Sequence, residues 1–178
     1  KGSDEPLWAI KYSPQGDKFA SGGEDIISVW AKDGKLLIEI KGQVASLCWS
    51  KDGAYIFSGS FDNTIRKLQS IDGKELVVIH GHTNPLRSLC LSPDGSHLIS
   101  ASYDFSVRIW DLETNQQIGE PLWHDDRVNV VAMSSDGQYF ASAISGPDAK
   151  IYVWSLEAAL KHSRDDHVSV FVHCQCLF

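Results

Sequence analysis

Four stretches of this chain repeat one another, and that repetition constrains the fold more than any other feature. They are YSPQGDKFASGGEDIISVW, WSKDGAYIFSGSFDNTIRKL, LSPDGSHLISASYDFSVRIW and MSSDGQYFASAISGPDAKIYVW. Their turn glycines, Gly16, Gly53, Gly95 and Gly137, are 37, 42 and 42 residues apart. The closing position holds Trp30, Leu68, Trp110 and Trp154, at steps of 38, 42 and 44. A unit of about 40 residues that recurs in this way cannot bury its apolar face alone and must stack on its neighbours.

Each copy reads as short strands. An alternating stretch (86–92, 128–134) leads into a Ser-Pro-Asp-Gly kind of turn, in which Pro fixes φ and Gly accepts a positive φ. A second strand (97–102), a tight turn at an Asp and a third strand ending in Trp (106–112) follow, then a variable fourth strand (35–41, 74–80, 116–123). Strands at this spacing with Gly and Asp turns indicate an all-β protein, and four strands per repeat indicate propeller blades.

Composition narrows the function. The chain has 178 residues, 43% hydrophobic and 22% charged, which is globular rather than disordered. A net charge of −7 argues against direct nucleic-acid binding and against docking on an anionic membrane. No apolar run approaches the ~20 residues of a membrane-spanning helix. The opening KGSDEPLW is no signal peptide and lacks an initiator Met, as a processed or excised piece would. Four cysteines and no N-x-S/T sequon suit a reducing intracellular compartment, cytoplasmic or nuclear.

The best repeat holds His82, Ser102 and Asp104, the residue types of a hydrolase triad. Periodicity argues against catalysis: an active site gains nothing from copies every ~40 residues, whereas a network that staples blades does. No nucleophile elbow or oxyanion-hole signature is present. GH at 81–82, SPDG at 92–95, ASYDFSVRIWD at 101–111 and their weaker copies resemble the WD-repeat β-propeller family over roughly residues 7–172. The repeat at 82–123 is similar to those of fungal WD-array receptors and scaffolds. The expected fold is an all-β WD-repeat propeller of about four blades, each of four antiparallel strands.

The resemblance implies a hydrogen-bonded chain through His82, Ser102, Asp104 and Trp110. Ser links indole to imidazole, and the carboxylate fixes the imidazole tautomer. The weaker copies keep Asp25 and Trp30 in blade one, Ser60 and Asp62 in blade two, and His124, Asp148 and Trp154 in blade four. Gly23 and Gly146 stand at the Ser position of blades one and four, and Leu68 replaces Trp in blade two. Only blade three is complete, which predicts that it is the most rigid. In the family the residue between Ser and Asp lies on the top face, where partners dock. Here it is Glu24, Phe61 or Tyr103, and an aromatic in an exposed turn has no packing duty. Asn84, Arg87 and Asp126 would share that face.

The other residues have plainer readings. Cys48 and Cys90 are expected as small buried hydrophobes. Cys174 and Cys176 with His162, His167 and His173 fit no standard zinc spacing. Trp8, Trp49 and Trp123 suit the core or an inter-blade contact. Arg66 and Arg108 suit salt bridges to neighbouring blades.

The blades are expected at 7–41, 44–80, 83–123 and 127–163, with the start of a fifth at 165–172 and a divergent tail at 173–178. SLEAALKH (155–162) reads as a helical turn, which leaves the fourth strand of blade four in doubt. The ring is expected to be incomplete: a fragment, a truncated product, or half a ring completed by further blades of a parent protein or another chain. A closed four-bladed ring is the alternative. Open ends would be assembly surfaces. The expected function is a non-enzymatic interaction scaffold that docks a protein or peptide, with no cofactor and no metal. The alternative is a regulatory or ligand-sensing domain of a larger receptor or complex.

Overall fold

A computed structural model describes residues 6–146 and 149–161 and the backbone of 172–173. The chain divides into two compact units, residues 1–87 and 88–178. Each unit is built from four-stranded antiparallel sheets, and the sheets are the blades of a β-propeller fold.

Blade one holds β1 (Leu7–Tyr12), β2 (Lys18–Gly23), β3 (Ile26–Ala31) and β4 (Leu36–Lys41). Blade two holds β5 (Ser46–Trp49), β6 (Tyr55–Gly59), β7 (Ile65–Gln69) and β8 (Glu75–Ile79). Blade three holds β9 (Leu86–Leu91), β10 (His97–Ser102), β11 (Ser106–Asp111) and β12 (Gln117–Trp123). Blade four holds β13 (Val128–Met133), β14 (Tyr139–Ile144), β15 (Lys150–Ser155) and β16 (Val172–His173). The order within each sheet is sequential, as short hairpin connections require. All four turn glycines have φ between +70° and +81°, the conformation for which the repeat reserves Gly.

The last sheet departs from the expected boundaries. Leu156–Leu160 form a short helix, α1, capped by the Ser155 hydroxyl, which accepts from the Ala158 N–H. The chain then supplies Val172–His173 as the fourth strand of blade four, paired with Ile151 and Lys150. Residue 172 therefore pairs with the edge of β15, giving the backbone groups of that edge partners. The rest of the expected fifth-blade segment, the metal-candidate residues His162, His167, Cys174 and Cys176, and the tail beyond 173 lie outside the described residues.

The core follows from the period-2 pattern. In the first unit Ala20, Ile27 and Val29 of blade one bury against Val44, Leu47, Trp49, Ile56 and Leu68 of blade two. In the second unit Ile99, Ala101, Val107 and Ile109 of blade three cluster with Val131, Phe140, Tyr152 and Trp154 of blade four. A hydrogen bond reinforces the first pairing: the Trp49 indole donates to the Lys11 carbonyl at 3.0 Å. Trp49 thus meets the inter-blade expectation. Trp8 and Trp123 do not sit in a core: Trp8 is 42% and Trp123 62% exposed. Trp123 ends an outer strand next to the buried Leu122, so strand alternation turns it to solvent. Cys48 and Cys90 are half-buried rather than fully buried.

Candidate functional site

The third-strand indoles are held by serines that the repeat alignment had passed over. Trp110 Nε1 donates to Ser100 Oγ at 2.8 Å, not to Ser102. Trp30 donates to Ser21 at 2.9 Å and Trp154 to Ser142 at 2.9 Å. Strand register is the reason. Trp110 lies opposite Leu98, and its diagonal neighbour on the same face is Ser100. Ser102 is two residues further along the strand, about 7 Å from Ser100. The same register pairs Trp30 with Phe19 and Trp154 with Phe140, which places Ser21 and Ser142 on the diagonal. Gly23 and Gly146 are therefore not gaps in the network. The signal was present in the sequence, since Ser recurs at 21, 58, 100 and 142 in every copy.

Blade four carries a relay complete enough to assign its protons. His124 Nδ1 lies 3.0 Å from the Leu122 carbonyl, which only accepts, so Nδ1 bears the proton and donates. Nε2 is then an acceptor, and the Ser142 hydroxyl donates to it at 2.7 Å. The same oxygen accepts the Trp154 indole N–H. Indole, hydroxyl, imidazole and main-chain carbonyl thus form one directed chain, with every donor matched. A carbonyl fixes the tautomer here, where the sequence reading gave that role to a carboxylate; Asp148 lies outside the described residues. Burial disfavours the imidazolium and lowers its pKa from 6.5 to about 4, against the smaller opposing pull of the Leu122 carbonyl and Asp125. Rings close the pocket: Tyr152 packs edge-on at 4.4 Å and Trp154 at 5.4 Å.

In blade four the same residue types are committed to one another. Ser142 and His124 are at the distance of a nucleophile and its base, yet Ser142 is 1% exposed and its oxygen already accepts an indole proton. An imidazole with a pKa near 4 is a weak base at neutral pH. The arrangement staples strands.

The acidic turn residues act locally. Asp104 N–H donates to Ser102 Oγ at 3.0 Å, and Asp104 Oδ1 accepts from the Ser106 N–H and hydroxyl at 3.1 and 2.7 Å. Asp62 repeats this with Ser60 at 3.2 Å and with Thr64 at 3.0 and 2.6 Å. Burial works to raise the Asp62 pKa, but the bonds from Thr64 and Arg66 outweigh it and bring the pKa to about 2. The turns pass through positive φ at Asn63 (73°) and Phe105 (68°). In blade one Ile27 stands where Thr64 and Ser106 supply the hydroxyl, and Asp25 is exposed. His82, Ser102 and Asp104 are all buried.

Arg66 and Arg108 pair within their own blades rather than with neighbours. Arg66 bonds Asp62 and Glu75, each at 2.6 Å. Arg108 bonds Gln117 at 2.8 Å and lies 3.9 Å from Asp104. Each Arg precedes its closing position by two residues, so its side chain runs across its own sheet toward these acceptors.

The turn aromatics are half-buried, contrary to an exposed residue with no packing duty. In the first unit Phe61 meets Trp8 edge-on at 4.9 Å, and the Arg87 guanidinium lies 5.6 Å from its ring centre. In the second unit the Arg127 guanidinium lies 5.2 Å over Tyr103. Of the remaining candidates Asn84 is exposed, and Glu24, Arg87 and Asp126 are half-buried. Asp126 accepts the Arg127 backbone N–H at 2.7 Å. Sequence reasoning missed Arg127 and Phe105, whose ring is 43% exposed. Among the described residues no cluster of His, Cys, Asp and Glu is arranged to hold a metal, and no helix is long and apolar enough to cross a membrane.

Comparison with known proteins agrees with this architecture. The family model "WD domain, G-beta repeat" (WD40) matches residues 1–31, 34–67, 73–111 and 116–155. A probable cytosolic iron-sulfur protein assembly protein CIAO1 homolog of Schistosoma japonicum is 34% identical over 74 residues, 36% of this chain and 21% of that protein. The solved structure of the RRP9 WD40 repeats superposes with a TM-score of 0.83 at 20% identity, covering 97% of this chain and 52% of that one. The structure of U3-55K gives 0.80 at 21% identity, covering 89% and 51%. The chain thus spans about half the length of these solved chains.

Proposed function

The chain belongs to the WD40 repeat family, and from that premise we propose that it is a non-enzymatic scaffold that docks protein or peptide partners through its aromatic turns. WD40 propellers are typically interaction scaffolds, but fold alone does not fix function. The observation that carries the reading is the aromatic–arginine pair repeated in both units, Phe61 with Arg87 and Tyr103 with Arg127. Aromatic and Arg side chains are the residues most enriched at binding hot spots. Their stacking holds each guanidinium in place before a partner arrives, which lowers the ordering cost of binding. Trp8 enlarges the first patch, and Asn84 and Glu24 are the candidates for polar contacts with the partner. Asp126 does the same beside Tyr103.

The test is site-specific photo-crosslinking. A photoreactive residue at 61 or 103 should capture the same partner from cell extract, and Arg87→Ala or Arg127→Ala should reduce the yield at its own site. Ile71, 72% exposed in the β7–β8 turn, is the control position. Capture at 71 equal to that at 61 and 103 would contradict the assignment.

A further inference from the structure

Two aromatic side chains of blade three stand in solvent: Trp123 is 62% and Phe105 43% exposed. Neither belongs to the first or the last blade, so the ends of the chain do not account for them. Trp123 closes β12 opposite Ser106, the first residue of β11, and Phe105 comes just before Ser106. The Phe105 carbonyl accepts the His124 N–H at 2.8 Å, which ties the two backbones together here. The rings therefore start from adjacent positions on one rim of the blade. Phe105 is also held in an unfavourable conformation. Its φ is 68°, and the matching place in blade two holds Asn63, a residue that suits the left-handed region. A bulky residue kept in that region with its ring in water points to a role outside the fold.

The form of the edge limits how a partner can approach. β12 is the edge strand of its sheet. Its pairing with β11 shifts between Val107 and Ile109, where Arg108 faces a bulge at 119–121. Pro121 has no N–H to offer, and Gly119 turns the chain with a φ of 67°. The edge thus resists an added strand, and recognition falls to side chains. Glu120, in the bulge, is exposed. Arg108 bonds Gln117, and Arg127 and Lys150 are engaged by Tyr103 and Asp125. Residues 120–126 include Glu120, Asp125 and Asp126 and no Lys or Arg.

We propose that Trp123, Phe105 and Glu120 form a docking patch for an arginine-rich segment of a partner protein. Charge selects the occupant: an acidic rim on a chain of net charge −7 attracts cations and repels acidic or phosphorylated segments. Arg suits the patch better than Lys, because its planar guanidinium stacks on an aromatic face and still bonds a carboxylate. Glu120 and Trp123 lie about 7–10 Å apart along β12, a spacing that alternate residues of an extended segment match. The proposal does not rest on docking at Phe61 and Tyr103.

The experiment is fluorescence anisotropy of a labelled decapeptide alternating Arg and Ser, titrated with the 178-residue chain. The peptide should bind, and Trp123→Ala should weaken binding roughly tenfold, the size of one cation–π contact. That substitution changes no charge, so a general attraction between a basic peptide and an acidic chain does not respond to it. Glu120→Gln should weaken binding about threefold. Glu113→Gln, an equal loss of charge at an exposed position in the β11–β12 turn, should leave it unchanged. Phe105→Asn should weaken binding while the chain stays folded, and it takes the place of Trp123→Ala should that variant fail to fold. No binding, binding unaltered by the aromatic substitution, or equal losses in Glu113→Gln and Glu120→Gln would each overturn the proposal.

Discussion

Leu68 stands diagonally across β6 and β7 from Ser58, and the Ser58 hydroxyl is fully buried with no hydrogen-bond partner among the described residues. In the other three blades the same diagonal carries a Trp indole that donates to the serine. Blade two has kept the acceptor and lost the donor. A buried hydroxyl left unpaired costs about 1–3 kcal/mol. Ser58→Ala should therefore raise stability, by about 1 kcal/mol, in urea unfolding.

The indoles themselves are unequal. Trp110 and Trp154 are buried, whereas Trp30 lies half-exposed on the outer face of blade one. Trp110→Ala should cost roughly 3–5 kcal/mol, the range for deleting a buried aromatic side chain. Trp30→Ala should cost clearly less. Chemical unfolding of the two variants, followed by circular dichroism, compares them directly.

His124 predicts a pH dependence. Above about pH 6.5 the imidazole is neutral in both folded and unfolded chains and adds no pH dependence. Between about 6.5 and about 4 the unfolded chain binds a proton that the folded chain refuses, so stability falls as the solution is acidified. The loss is at most about 3 kcal/mol. His124→Gln should flatten that part of the stability–pH curve, as read from unfolding midpoints across the window.

Phe105 has a φ of 68° and is 43% exposed, so burial offsets the unfavourable conformation only in part. Asn63 holds the matching place in blade two with a φ of 73°. Phe105→Asn should raise thermal stability by about 0.5–1 kcal/mol, since Asn tolerates the left-handed region.

The fold was legible because its signals are periodic. The glycines at 16, 53, 95 and 137 mark the turns, and alternation within each strand marks the buried face. The network was only partly legible. Ser102 and Asp104 draw the eye as neighbours, but the indole reaches along the strand diagonal, and Ser100 becomes its partner only once the pairing of Leu98 with Trp110 is known. The stacking of Arg127 on Tyr103 was harder still, because a contact across 24 residues leaves no mark in composition or spacing. The pairing of Val172 with Ile151 was not legible either, because a two-residue pairing after a helix has no sequence signature of its own.

Hydrogen exchange at the Trp110 indole, followed by NMR in Ser100→Ala and Ser102→Ala, tests most directly the claim that these serines staple strands. The Ser100→Ala variant should lose indole protection, and Ser102→Ala should retain it. Loss of protection in Ser102→Ala with none in Ser100→Ala would contradict the account.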